Sequence, residues 1–335
     1  MSNYINDIEI SNYKGIESIE LKDLRRMNIL IGDNNSGKTT ILEAISFLEK
    51  PFDFRAHLKT ARRGYSQRTF KFDKIQEIFN GCNLEKGICI KVTSSDSNYN
   101  LKIYAEEENL ISKDDDKKYK DINLNYTFND IKKSYSVRNS EVSKLNIFKD
   151  KNELFNIKYV TPLDIYISDN LVKSLDLVIK NGYKDELISL LNLFDENIVD
   201  ISYEEDKEIY ISNSKNETMT IDSFGDGVKK SIAMLTKLIV AENGIFLVDE
   251  IESGVHKDLL NNILKIIIES SIKYNIQVIA TTHSIETLSI LLENTNNLDD
   301  IALYRLEEFR GKNYVRRFSG IESYETIVEK GGDLR

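Results

Sequence analysis

An α/β fold built on a largely parallel sheet is predicted, and three observations carry it. The C-terminal third alternates helix and strand: Val228, Ile232, Leu235 and Ile239 mark a helix and Ile245–Val248 a strand, then Leu259–Ile268 reads as helix, Ile276–Ala280 as strand and Ile285–Leu292 as helix. Two short apolar runs, Met27–Ile31 and Ile245–Val248, read as strands covered on both faces. A glycine-rich turn follows the first run, and then Ile41, Ala44, Ile45 and Leu48 recur at helical spacing until Pro51 closes the segment.

Before this sheet, Ile8, Ile10 and Ile19 alternate with polar residues, which predicts an antiparallel N-terminal β layer of half-buried strands. From about Lys91 to Asn156 the texture turns polar, rich in Lys, Asp, Asn and Ser, with strand-like pieces such as Asn123–Phe128. Its charge run Lys113–Lys120 reads as a solvated or disordered loop. Three consecutive aspartates there point in different directions and make a poor metal site. Leu163–Phe194 has a helical pattern, and Ile198–Tyr203 and Glu208–Ser212 are strand-like. The expected divisions are an N-terminal lobe at 1–95, a variable polar β insertion at 96–156, a helical and β lobe at 157–220 and a C-terminal lobe at 221–335.

At 335 residues, 41% hydrophobic, the chain can bury a sizeable core. A formal net charge of -10 argues against a surface coated for nucleic acid, though not against a local basic strip. Two cysteines, Cys82 and Cys89, form neither a disulfide framework nor a zinc pair, as suits a reducing cytoplasm; Cys89, in an apolar run, reads as a buried strand residue. The opening residues lack an apolar signal region and no 18-residue apolar run occurs, so a cytoplasmic chain without a membrane span is expected.

Gly32-Asp33-Asn34-Asn35-Ser36-Gly37-Lys38-Thr39 fits G-x-x-x-x-G-K-[ST]. Glycines at these positions let backbone N–H groups turn inward around phosphate oxygens, and the helix that follows offers its positive end to the same anion. In such a loop Lys38 reaches the β- and γ-phosphates, and the Thr39 hydroxyl binds Mg²⁺. The strand Ile245–Val248 ends in Asp249 and Glu250. A parallel strand presents its C-terminal end to the ligand crevice, so Asp249 can hold Mg²⁺ and Glu250 can polarise a water. A pair of exposed carboxylates at a strand end is the competing reading, weakened by the phosphate loop. His283 follows the strand Ile276–Ala280 and can contact a γ-phosphate, whereas His57 and His256 read as structural or surface residues.

The order of phosphate loop, Ser223-Phe224-Gly225-Asp226-Gly227, FLVDEIESGVH and QVIATTHS resembles the ABC-type P-loop ATPases related to the overcoming-lysogenization-defect (OLD) nucleases, RecF and SMC-type heads. It looks most like stand-alone OLD-like ATPases, such as the ATPase subunits of two-gene phage-defence systems of the PARIS type. The opening SNYKGIESIEL is similar to that family's first strands; with it the resemblance assigns Lys14, and Thr40 beside the loop, to ATP. The resemblance implies an ABC-type ATPase head with a mixed sheet, an antiparallel β layer and a helical lobe. It implies catalytic roles for Glu250, His283 and Lys38, with ATP and Mg²⁺ as cofactors. It also implies a composite site in which Ser223, Gly225, Asp226 and Gly227 of one subunit close on the nucleotide of another, hence a homodimer or higher homo-oligomer. Gly225 stands where the family carries a serine, with Ser223 the other candidate, and Asp226 is an unexpected acid beside phosphate. Gln67 and Gln76 are candidates for the family's metal-linking glutamine.

Rival ATPase types are separated by length. About 185 residues lie between Lys38 and the signature, more than a compact transporter subunit needs, and no heptads are present for an SMC coiled coil. A RecF-like DNA-binding ATPase stays open, with two basic clusters to serve it: Arg55, Lys59, Arg62, Arg63, Arg68 and Lys71, and Arg305, Arg310, Lys312, Arg316 and Arg317. No Glu…Asp-x-Asp carboxylate set follows His283, so cutting activity is expected in a separate TOPRIM-type effector. An ATP-stabilised scaffold with negligible turnover is the alternative from another class.

Overall fold

Alternating side chains build the first sheet. The computed structural model describes residues 4–62, 72–111, 118–138, 154–164, 168–193, 195–204, 208–215 and 217–335. Strands β1 (Ile5–Tyr13) and β2 (Ile16–Leu21) form a hairpin, then β3 (Met27–Gly32), α1 (Lys38–Ser46) and α2 (Phe54–Arg62) follow. Strands β4 (Ile88–Ser94), β5 (Asn98–Ile111), β6 (Lys118–Phe128) and β7 (Ile131–Arg138) complete an antiparallel sheet of order β2-β1-β4-β5-β6-β7.

The polar stretch is therefore mostly strand, continuous with the N-terminal layer. Leu101, Ile103 and Ala105 on β5 and Ile122, Leu124 and Tyr126 on β6 are buried at every second position. The alternate positions carry Lys102, Tyr104, Glu106, Asn123, Asn125 and Thr127, which is why the composition reads as polar although the chain is strand. Of the charge run, residues 113–117 lie outside the described residues, and 118–120 belong to β6. Cys89 is half-buried rather than buried, on the alternate face of β4, where its thiol donates to Asn100 Oδ1 at 3.6 Å.

Next come β8 (Ile157–Val160), α3 (Ser168–Lys180), α4 (Lys184–Leu191) and a three-stranded sheet of β9 (Ile198–Tyr203), β10 (Ile209–Asn213) and β11 (Thr218–Thr220). The C-terminal part runs α5 (Asp226–Ile239), β12 (Ile245–Val248), α6 (Lys257–Lys273), β13 (Gln277–Thr281), α7 (Ile285–Asn294), β14 (Ile301–Phe309), β15 (Lys312–Ser319) and α8 (Gly320–Tyr324). The central sheet has the order β15-β14-β3-β13-β12-β8, parallel except for β15.

Two apolar cores flank this sheet, and its strands feed both. Leu30, Leu247 and Ile279 pack toward α1 and the antiparallel layer, whereas Ile29, Ile31, Phe246, Val248 and Val278 pack toward the helices α5, α6 and α7. Burial on both faces explains the unbroken apolar runs. Gln277, fully buried, joins the two sheets: its Oε1 accepts from Ile5 N at 2.9 Å, and its Nε2 donates to Ile5 O at 2.8 Å and to Arg25 O at 3.0 Å. Among the described residues no helix is long and apolar enough to cross a membrane.

Candidate functional site

The parallel register brings the C-terminal ends of β3, β12 and β13 to one sheet edge. Gly32 ends β3 with φ 134°, and a Cβ there would lie 2.3 Å from the Leu306 carbonyl oxygen of β14, so only glycine fits. Asn35 at φ 66° and Gly37 at φ 97° curl the loop back, and Gly37 caps α1. The first-turn N–H groups of α1 have no partner within the helix and face the concavity of the loop. Lys38 opens α1; its ammonium lies inside the loop, donating to the carbonyls of Gly32 and Asp33, each at 2.7 Å. Burial lowers its pKa, while Asp249, Asp33, Glu250 and Glu252 oppose that shift.

Asp249, 3% exposed, follows β12. Its Oδ1 accepts from Thr39 Oγ1 at 2.9 Å and from Thr281 Oγ1 at 2.8 Å. The phosphate loop and the acidic strand, 210 residues apart in sequence, thus meet at one oxygen. Thr281 also accepts from the Glu250 N–H at 2.7 Å. Thr281 lies within the QVIATTHS stretch, but its bond to Asp249 is set by the pairing of β13 beside β12.

Glu250 sits in the left-handed region at φ 49°. Its carbonyl accepts from Lys230 Nζ at 2.6 Å, and the same ammonium donates to Ser253 O at 2.6 Å. Lys230 is 1% exposed, on the inner face of α5, and burial pulls its pKa down to about 8 against the opposing pull of Glu252, Glu250 and Asp249. Glu252 Oε1 accepts from the His283 N–H at 2.7 Å. Loop 249–254 is therefore tied to α5, to the end of β13 and to the segment that carries His283. The His283 carbonyl also accepts from Arg335 at 2.7 Å.

Gly225 is the N-cap of α5, and Ser223, Gly225 and Asp226 are exposed. Nothing lies within 4 Å of where a Gly225 Cβ would be, whereas one on Gly227 would touch Leu259 of α6 at 3.0 Å. Thr40 lies in the first turn of α1, half-buried. Lys14, at φ 48° in the β1–β2 turn, is committed elsewhere: its ammonium pairs with Glu43 at 2.6 Å and donates to Ala61 O at 2.5 Å. Gln76 donates to Glu107 at 2.8 Å, while Gln67 falls outside the described residues, as do Arg63, Arg68 and Lys71 of the first basic cluster. His57 is a core residue, stacked on Phe47 with ring centroids 4.1 Å apart. His256 is an exposed N-cap of α6.

The residues fit a nucleotide with a hard divalent cation. A hydroxyl and a carboxylate 2.9 Å apart beside a phosphate loop suit an ion that keeps waters and phosphate oxygens as its other ligands. Among the described residues no group of three or more His, Cys, Asp or Glu could hold a metal. A separate cavity of about 320 Å³, lined by Phe47, His57, Lys158 and Lys237 among others, lies at the opposite end of α1.

Comparison with known proteins agrees with this geometry. The family described as "AAA domain, putative AbiEii toxin, Type IV TA system" matches residues 27–289. An ATP/GTP phosphatase of Helicobacter pylori is 25% identical over 325 residues, covering 86% of this chain and 87% of that one. The DNA replication and repair protein RecF of Glaesserella parasuis is 36% identical over 76 residues, 22% of this chain and 21% of that protein. In structure, the SMC head bound to the C-terminal winged-helix domain of ScpA superposes with a TM-score of 0.55 at 14% identity, covering 94% of this chain and 98% of that one.

Proposed function

Because the chain belongs to that AAA-domain family and has the head fold of ABC-type ATPases, we propose that it binds ATP with Mg²⁺ and hydrolyses it as a dimeric switch. The observation that carries this reading is the meeting of Thr39 and Asp249, which joins the phosphate loop to the acidic strand. The relative named ATP/GTP phosphatase, aligned over most of both chains, supports turnover.

Each residue has a distinct task in this reading. The loop from Gly32 to Thr39 and the N-terminal end of α1 bind the phosphates. Lys38 exchanges the carbonyls of Gly32 and Asp33 for phosphate oxygens. Thr39 and Asp249 hold Mg²⁺, which when bound neutralises charge on the β- and γ-phosphates. Glu250 polarises the attacking water, and His283 contacts the γ-phosphate. The exposed N-terminal end of α5, with Ser223, Gly225, Asp226 and Gly227, completes the site of a second copy. ATP then shifts an open–closed equilibrium, because only the closed dimer bonds it from both sides. In this reading the switch serves a separate effector in anti-phage defence; beside the AAA domain, the family description itself names only a putative toxin of a type IV toxin–antitoxin system.

The test is Glu250→Gln. ATP turnover should fall at least about a hundredfold while ATP still binds. A wild-type chain that binds ATP without measurable turnover would establish the scaffold reading instead.

One observation favours a second, RecF-like reading with a nucleic-acid partner. On the outer face of the β14–β15 hairpin, Arg305 lies opposite Arg316 and Phe309 opposite Lys312, with Tyr314 between Lys312 and Arg316; the one acid on this face, Glu307, lies opposite Tyr314 and pairs with Arg305 at 2.8 Å. Phe309 is 61% and Tyr314 49% exposed, an arrangement of cations and aromatic faces suited to phosphates and bases. Binding of a single-stranded 30-mer that weakens steeply with salt, and is lost in Arg316→Glu, would favour it. Salt-insensitive or absent binding would exclude it.

A further inference from the structure

The backbone of Glu250 poses a problem that the proposed water-polarising role alone does not solve. A non-glycine residue at φ 49° costs about 1–2 kcal/mol relative to the right-handed helical region, and such a conformation persists only where its surroundings hold it. Three contacts do so. The N–H is held by Thr281, whose hydroxyl is already oriented by Asp249. The carbonyl accepts from the Ser253 N–H at 2.9 Å, closing a tight turn, and from Lys230, the one side chain that reaches it among the described residues.

Lys230 is an unusual choice for that task. A primary ammonium that is 1% exposed has given up its hydration, yet its hydrogen bonds go to two backbone carbonyls, Glu250 O and Ser253 O. An ammonium is a compact charge with three donors, so one group can clamp two carbonyls at once and hold them by charge as well as by hydrogen bonds. The carboxylates of Glu252, Glu250 and Asp249 favour its charged form against the loss of solvent. The lysine belongs to the second turn of α5, the helix that exposes Gly225 and Asp226 at its N-terminal end.

We propose that Lys230 is a positioning residue for hydrolysis: its ammonium clamps loop 250–253 so that the Glu250 carboxylate faces the attacking water, without touching the nucleotide itself. The proposal rests on the reading of Glu250 as the residue that polarises water. It separates two properties that a merely structural lysine would affect together. Loss of the clamp leaves the phosphate loop, Thr39 and Asp249 in place, so ATP affinity is kept and the chemical step is lost.

The experiment compares Lys230→Met, Glu250→Gln and the double variant in ATP binding and steady-state hydrolysis. Lys230→Met is expected to lower kcat at least tenfold with ATP Kd within about twofold of wild type. The double variant is expected to be no slower than Glu250→Gln alone, because Lys230 acts only through Glu250. Lys230→Arg, which keeps a cation at the clamp, should recover part of the loss. If Lys230→Met does not fold, Lys230→Leu takes its place with the same readouts. Wild-type kcat in the folded Met or Leu variant overturns the proposal, as does an equal loss of kcat and ATP affinity, or a double variant at least tenfold slower than Glu250→Gln. Wild-type turnover in Glu250→Gln instead removes the reading of Glu250, and the clamp falls with it.

Discussion

His57 shows how a single buried ring couples this fold to pH. It stacks on Phe47, its Nε2 lies 3.0 Å from Lys50 O, and burial lowers its pKa to about 4 against the hydrogen bonds that oppose the shift. The unfolded chain, with an ordinary histidine pKa near 6.5, binds more protons than the folded chain between about pH 4 and 6.5. Stability therefore falls as pH drops through that window, by about 3 kcal/mol at most, and is unaffected by this group at pH 7 and above. His57→Phe keeps the stacking and removes the titration. The difference in unfolding midpoint between pH 7 and pH 4.5 should be smaller in the variant than in the wild type; equal differences would show that His57 is not responsible. At the candidate site, legibility in the sequence follows locality. Gly32 to Thr39 are contiguous and Asp249 follows an apolar run, so both are readable. The bonds of Thr281 and Glu252 and the clamp role of Lys230 depend on neighbours 20 or more residues away, and no local pattern encodes them. Lys14 fits an opening strand motif, but its ammonium pairs with Glu43 of α1.

At the scale of elements, the apolar packing between the two large sheets is pinned by one fully buried amide, Gln277. Replacing Gln277 with Leu keeps the volume but leaves the N–H and carbonyl of Ile5 without that buried partner, while the Arg25 carbonyl keeps its bond from Asn28 Nδ2 at 2.6 Å. At about 1–3 kcal/mol for each of the two unsatisfied groups, a loss of at least about 2 kcal/mol is expected, read as a lower midpoint in urea unfolding. A midpoint within experimental error of wild type would mean that water replaces the amide. The contact of β3 with β14 makes a second prediction. Gly32→Ala forces a Cβ against Leu306 O and should abolish ATP binding while lowering the melting temperature. Retained ATP affinity would show that the loop tolerates a shifted β3. Helices and the buried parallel strands were legible because their periodicity is strong. The long strands β5 and β6 were less so, since the polar residues of their solvent face dominate the composition. The β14–β15 hairpin was read only as a basic cluster, because what makes β14 a central strand is its pairing with β3.

For the whole molecule, the proposed closure of two copies on ATP makes the sharpest prediction. Glu250→Gln with Mg-ATP should increase in solution mass to that of a dimer, because slowed hydrolysis retains the ligand that only the closed form binds from two sides. An apo monomer that binds ATP without a change in mass would exclude ATP-driven closure by this chain alone. The topology also has a consequence for biosynthesis. Strand β3, which ends in the phosphate loop, pairs with β13 and β14: Met27 aligns with Val278 on one side and with Ile301 on the other. At roughly 5–20 residues per second, a ribosome needs tens of seconds after making β3 to supply those neighbours. Meanwhile β1, β2 and β4 to β7 can pair among themselves, as near neighbours in sequence. Every strand of the antiparallel layer is thus synthesised long before β12 and β13, and the phosphate loop cannot meet Asp249 until three quarters of the chain has been made.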